Sequence, residues 1–138
     1  MANEAVIIEL LGNGGDPVRF TIANGTAGTN IEKGTMMKLS GDRTVAASSA
    51  DGELMVGILA HEKVGGDGST TCSVYTNGIF DMTVDGTNTA TLGYPQKCDG
   101  ANLISNADEA GAFGSSEVIG YAMEAGAINE VIAVRVLK

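Results

Sequence analysis

The chain has 138 residues, enough for one domain with a real core, and Leu, Ile, Val and Phe make 32 of them, above the level of a disordered chain. Eight basic residues against 17 acidic ones leave a net charge of −9, which excludes a general nucleic-acid binder and a polybasic membrane-surface protein. Twenty glycines and 17 alanines beside six aromatic residues predict a core of small and β-branched side chains and a backbone that turns often.

Val6, Ile8 and Leu10 alternate along the first segment and predict a strand. Gly12-Asn13-Gly14-Gly15-Asp16-Pro17 is a turn cluster, and Val18, Phe20 and Ile22 form a second alternating strand. A Gly/Thr/Asn loop follows from Asn24 to Asn30. Ser48-x-x-Asp51 has the form of a helix start, which glycines 52 and 57 limit to a turn or two. Thr70 to Val84 is rich in strand formers, with Asn77-Gly78 at its middle. That dipeptide fits either a tight hairpin turn or a bulge in one long strand. Asp85-Gly86 is a further turn signal.

Ser105-x-x-Asp108 is a second short helix start, limited by glycines 111 and 114. Val118–Met123 and Asn129–Leu137 flank Ala125-Gly126-Ala127 and predict a hairpin, with Ile132, Val134 and Val136 on one face of its last strand. No segment approaches the ~20 apolar residues of a membrane helix, and Met1–Leu11 lacks the basic start of a signal peptide. Cys72 and Cys98 make neither a disulfide framework nor a zinc site, and point to synthesis in a reduced cytosol.

One internal similarity stands out. Gly34, Lys38, Gly41 and Val45 have the spacing of Gly93, Lys97, Gly100 and Ile104, and each block leads to a glycine in an apolar run, Val56-Gly57-Ile58 and Ile119-Gly120-Tyr121. Three identities in a glycine-rich chain leave duplication and coincidence both open; duplication would mean two similar β-units in one small barrel.

The sequence offers no catalytic residue, no metal site and no cofactor site. His61-Glu62 lacks the second His of a zinc motif, because position 65 is Gly. Gly65-Gly66-Asp67-Gly68 is a single copy of a calcium-repeat-like turn, without the stacked turns that complete an oxygen shell. Lys33 precedes Gly34, the wrong order for a phosphate loop. The acid pairs Asp51/Glu53 and Asp108/Glu109 read as solvated loop residues, and Met36-Met37 as core. Asn24-Gly25-Thr26 matches a glycosylation sequon but has no secretory context.

Gly34-Thr-Met-Met-Lys-Leu39, Asp51-Gly-Glu-Leu-Met-Val-Gly-Ile-Leu-Ala60 and Ser69-Thr-Thr-Cys-Ser-Val-Tyr-Thr-Asn-Gly-Ile-Phe80 resemble the lambda-type head decoration proteins of tailed bacteriophages. Val118-Ile-Gly-Tyr-Ala-Met123 through Val131-Ile-Ala-Val-Arg-Val136 is similar to a related group of phage capsid-cement proteins. The resemblance implies a mainly β fold, a small compact β-barrel or β-clip/β-tulip-like domain with one or two short helical turns. It implies a homotrimer that binds the major capsid protein on the outer surface of the virion, at three-fold and quasi-three-fold positions, and that is not an enzyme. Other β-rich virion modules of tail or fibre, and a small-ligand-binding barrel, are the alternatives.

Residues 1–33 are then N-terminal strands and loop with a capsid-contacting arm, and 34–138 the decoration-protein core. No long polar arm precedes Val6, so the capsid-binding expectation falls on Ala2, Asn3, Glu4, Ala5, Val6, Ile7 and Ile8. The trimer-interface expectation falls on Ile79 and Phe80.

Overall fold

The computed structural model describes residues 2–11, 15–23, 29–107 and 116–138, and among them finds eleven strands and no helix. In chain order they are β1 (Val6–Leu10), β2 (Val18–Ile22), β3 (Met36–Gly41), β4 (Thr44–Ala47), β5 (Met55–Leu59) and β6 (Thr71–Tyr75). Then come β7 (Asn77–Val84), β8 (Pro95–Cys98), β9 (Leu103–Asn106), β10 (Val118–Ala122) and β11 (Val131–Leu137). The mainly β expectation holds.

These strands close two small barrels of one topology. The first runs β2-β4-β3-β5-β6 and returns to β2 through Val18↔Val74. The second runs β7-β9-β8-β10-β11 and returns to β7 through Val134↔Phe80. In each, one neighbour pair is parallel, Ile22↔Val45 in the first and Val84↔Ile104 in the second. A bulge falls at the same place in both, beside Gly57 and beside Gly120. Loop hydrogen bonds repeat too: Gly34 N–H donates to Leu59 O at 2.9 Å, and Gly93 N–H to Ala122 O at 2.8 Å. The spaced pattern of Gly34, Lys38, Gly41 and Val45 therefore lies on positions equivalent to Gly93, Lys97, Gly100 and Ile104, and it marks two barrels side by side rather than halves of one.

Period-2 patterning sets the cores. Phe80, Met82 and Val84 line the inner face of β7, and Ile132, Val134 and Val136 that of β11, as the alternation predicts. Full burial of such a side chain contributes roughly 1.5–3 kcal/mol. Barrel one encloses Ile22, Met37, Val45, Leu59 and Val74. Its Met36, Met55 and Ile58 point outward and join the core of barrel two, so the joint between barrels is itself apolar.

Three local expectations differ from the structure. The C-terminal hairpin forms, Gly120 opposite Val136, but Asn77-Gly78 makes neither a hairpin turn nor a bulge. There the chain crosses from β6 in barrel one to β7 in barrel two, and Gly78 admits the close approach of the Glu9 carbonyl of β1. The helical turn at Ser48 is absent. Glu53 accepts the Ser49 and Ala50 amides at 2.6 and 2.8 Å and pairs with Lys38, which satisfies the donors a helix start would leave open. Ser105 lies within β9. The turn expected at 12–14, the loop at 24–28 and the turn following Ser105 at 108–115 lie outside the described residues.

Candidate functional site

β1 is an edge strand. It adds to β7 through Val6↔Asp81, Ile7↔Phe80, Glu9↔Ile79 and Leu10↔Gly78, and among the described residues no strand pairs with its other side. Two contacts anchor its approach: Ala5 N–H donates to Gly34 O at 2.7 Å, and Asn102 Nδ2 donates to Ala2 O at 3.0 Å. A register shift between Ile7 and Glu9 breaks the alternation. Ile7 and Leu10 turn to the core, while Val6 and Ile8 stand 60% and 50% exposed. An open groove of about 510 Å³ runs along Glu4, Ala5, Val6, Ile7 and Lys33.

The expected capsid-binding residues thus divide. Ala2, Asn3, Val6 and Ile8 are exposed, Glu4 and Ile7 are half-buried, and Ala5 is buried against Gly34. Of the expected trimer contacts, Ile79 is half-buried on the outward row of β7. Phe80 is fully buried in the core, with Tyr75 tilted against it at a ring separation of 6.1 Å.

Sequence reasoning missed Asn102, which ties three segments together. Its Oδ1 accepts the Met36 amide at 2.9 Å, its own amide donates to Ser48 Oγ at 3.2 Å, and its Nδ2 holds Ala2. It is fully buried with φ of +58°, a conformation that Asn tolerates better than most residues. Arg43 has the equivalent place in barrel one, also at positive φ, and caps the Arg19 carbonyl at 2.9 Å. The offset of the repeat already aligns Arg43 with Asn102, but it carries no sign that Asn102 is the residue that ties the segments together, because the two side chains share only a positive φ.

Two polar clefts lie elsewhere. One, of about 440 Å³, includes Asp51, Tyr94, Lys97, Asp99, Ser105 and Asn106. Asp99 hydrogen-bonds Asp85 there; burial and the Asp85 carboxylate push the Asp99 carboxyl above its ordinary value. Burial opposes ionisation of Asp85 as well, but the Thr87 hydroxyl and Asn88 amide outweigh it and hold Asp85 below its ordinary value. The folded state therefore binds the Asp99 proton more tightly than the unfolded chain. That contribution to stability is present below the ordinary value of 3.8 and is lost as pH rises through the raised value. Asp99→Asn keeps a donor for Asp85, so it is expected to stabilise the fold at pH 7. The gain should vanish below about pH 4, as urea midpoints measured across that range would show.

The second cleft, of about 170 Å³, includes Arg19, His61, Lys63 and Asp67. Lys63 is nearly buried and bonds Asp67 at 2.6 Å, an internal pairing. Among the described residues no group of three or more His, Cys, Asp or Glu could hold a metal ion. Cys72 and Cys98 are both free thiols that burial pushes above the ordinary value.

No family model matches the chain, and no curated protein matches it. Among solved structures its fold is similar to that of the N-terminal base of the head fiber protein gp8.5 of bacteriophage phi29. The TM-score is 0.53 at 18% identity, covering 86% of this chain and 92% of that one.

Proposed function

We propose that this chain is a structural protein of a tailed phage particle, a capsid decoration or cement protein of the lambda type. In this reading it sits on the outer surface of the icosahedral head as a homotrimer, at three-fold and quasi-three-fold positions. It contacts the major capsid protein, stabilises the expanded shell against internal DNA pressure, and catalyses no reaction. The observation that carries the reading is the two-barrel fold, shared over most of both chains with the base of a phage head fiber.

The edge of β1 supports a means of attachment. An extended segment of the shell protein that adds to it gains a ladder of backbone hydrogen bonds, and Val6 and Ile8 offer apolar contact. Three copies make the attachment multivalent, and a clamp that binds only the assembled shell stabilises it by mass action.

The test mixes the purified protein with expanded heads assembled without it, and measures co-sedimentation and rupture temperature. Attachment with a raised rupture temperature is expected; a protein that stays in the supernatant removes the reading. Val6→Lys with Ile8→Lys should weaken attachment at least about tenfold. Because both side chains are exposed, the fold's own stability should move by less than about 0.5 kcal/mol, readable in the same urea titration.

The fiber-base likeness favours a second reading, a base that anchors a projecting fiber to the head. Such a base, seated on one capsomer and not bridging neighbours, would bind free capsomers as well as heads and so attach without raising the rupture temperature, and the same experiment separates the two.

A further inference from the structure

The turn into β3 and the turn into β8 are one structure built twice. In barrel one Thr35 N–H donates to Glu32 O at 3.2 Å, Gly34 N–H to Leu59 O at 2.9 Å, and Leu59 N–H to Thr35 O at 2.9 Å. In barrel two Tyr94 N–H donates to Thr91 O at 3.0 Å, Gly93 N–H to Ala122 O at 2.8 Å, and Ala122 N–H to Tyr94 O at 3.0 Å. The bridges before the turns match as well, Ile31↔Lys63 and Ala90↔Gly126. Each turn has its glycine in the third place at positive φ, +91° at Gly34 and +79° at Gly93.

The cover over the two turns differs. On barrel one, Glu4 and Ala5 lie on the turn. Ala5 N–H donates to Gly34 O at 2.7 Å, and a Cβ on Gly34 would strike the Ala5 carbonyl and the Glu4 side chain. Ala5, Gly34 and Thr35 are all buried by this contact. On barrel two no described residue takes that place. A Cβ on Gly93 would meet nothing within 4 Å beyond its chain neighbours, and no described amide donates to the Gly93 carbonyl. Leu92 and Tyr94 hold the positions of Lys33 and Thr35 and are 64% and 42% exposed, and Met123, next to Ala122, is 40% exposed. Apolar side chains therefore stand uncovered at the turn whose twin is covered.

The barrel-one contact also defines what the barrel-two turn accepts. Its occupant offers a backbone N–H to the glycine carbonyl and a small side chain above the glycine, as Ala5 does. Glu4 shares its groove with Lys33, whereas Leu92 in the place of Lys33 calls for an apolar residue. The N terminus of a second copy fits poorly. Each copy carries one such segment, already held in its own chain by Gly34 and Asn102, and its Glu4 would lie against Leu92 without a cation. A partner of different sequence meets both requirements.

We infer that the Thr91–Tyr94 turn of barrel two docks an extended segment of the shell protein, with a small residue over Gly93 and an apolar one against Leu92. The contact is the one that Glu4 and Ala5 make with the Glu32–Thr35 turn. The identity of the partner rests on the proposed function; the chemistry of the site rests on the two turns. Together with the open edge of β1 it gives each copy two points of attachment.

The test uses the full chain and expanded heads assembled without it. Leu92→Glu/Met123→Glu should weaken attachment at least about tenfold, with circular dichroism and thermal midpoint unchanged because both side chains are exposed. A photoreactive benzophenone side chain in place of Tyr94 should, on irradiation of decorated heads, join this chain to the major capsid protein. A variant that attaches as well as wild type overturns the surface, and so do decorated heads whose irradiation gives no adduct or joins only copies of this chain. Those results leave the proposed function standing, because wild type attaches in each of them. Wild type that does not attach removes the proposed function and this inference with it.

Discussion

Replacing Gly120 with alanine is expected to unfold the protein. A Cβ at this position would fall inside the carbonyl group of Arg135, on the strand that β10 pairs with. The obstacle is backbone on both sides, so no side-chain rotation relieves it. β10 would have to separate from β11, which opens barrel two and the row Ile132, Val134 and Val136 behind it. The expected cost is on the order of 5 kcal/mol, at the far end of single-substitution effects and comparable with the whole stability of a small domain. Gly57 is the same position in barrel one, where a Cβ would meet the Tyr75 carbonyl, and Gly57→Ala should do the same there. Gly66→Ala is the control: nothing lies within 4 Å of its Cβ, so only its φ of +74° is strained and roughly 1 kcal/mol is expected. Thermal unfolding of the three variants checks this; similar losses at Gly66 and Gly120 would contradict the close-approach argument.

Asn102→Ala should cost about 3–4 kcal/mol. The substitution leaves the buried Met36 amide without its acceptor, worth roughly 1–3 kcal/mol, and puts a Cβ-bearing residue with no side-chain compensation at φ of +58°. It also releases the Ala2 carbonyl, so the N-terminal approach to β1 loses one of its two anchors. Asn102→Gly removes the same hydrogen bonds but relieves the backbone, and should recover about 1 kcal/mol of the loss. Urea midpoints give the energies, and amide exchange at Met36 reports the freed donor directly. An unchanged exchange rate at Met36 would mean that Asn102 is not its partner.

Strand content was legible because the alternation in β7 and β11 is strict and burial follows it residue by residue. The repeat was legible as spacing, through glycines that local geometry demands: Gly34 and Gly93 at the turn into β3 and β8, Gly57 and Gly120 at the close strand approach. Pairing was not legible. β1 joins β7 across some seventy residues, and nothing local in Val6–Leu10 distinguishes barrel two from barrel one as its partner. Phe80 reads as an exposed strand end only if the chain turns back at Gly78; once the strand continues, alternation sends Phe80 inward.

Gln96 shows the opposite failure. It holds the core position of Met37, fully buried, because Asn106 and the Tyr94 carbonyl accept from its Nε2 at 2.8 and 3.1 Å. Polarity alone would have placed it on the surface. At the candidate site, sequence reasoning found the segment Ala2–Ile8 but not its division into anchored and exposed residues. That division is set by the bulge after Ile7 and by the contacts to Gly34 and Asn102, both distant in sequence.

The proposed place of this chain on the outer surface of a phage head is tested most directly by a cryo-electron reconstruction of expanded heads, assembled without the chain and then saturated with it. New density is expected for three two-barrel units at each three-fold and quasi-three-fold position, with β1 against the shell. Heads whose outer surface gains no density at those positions would contradict it.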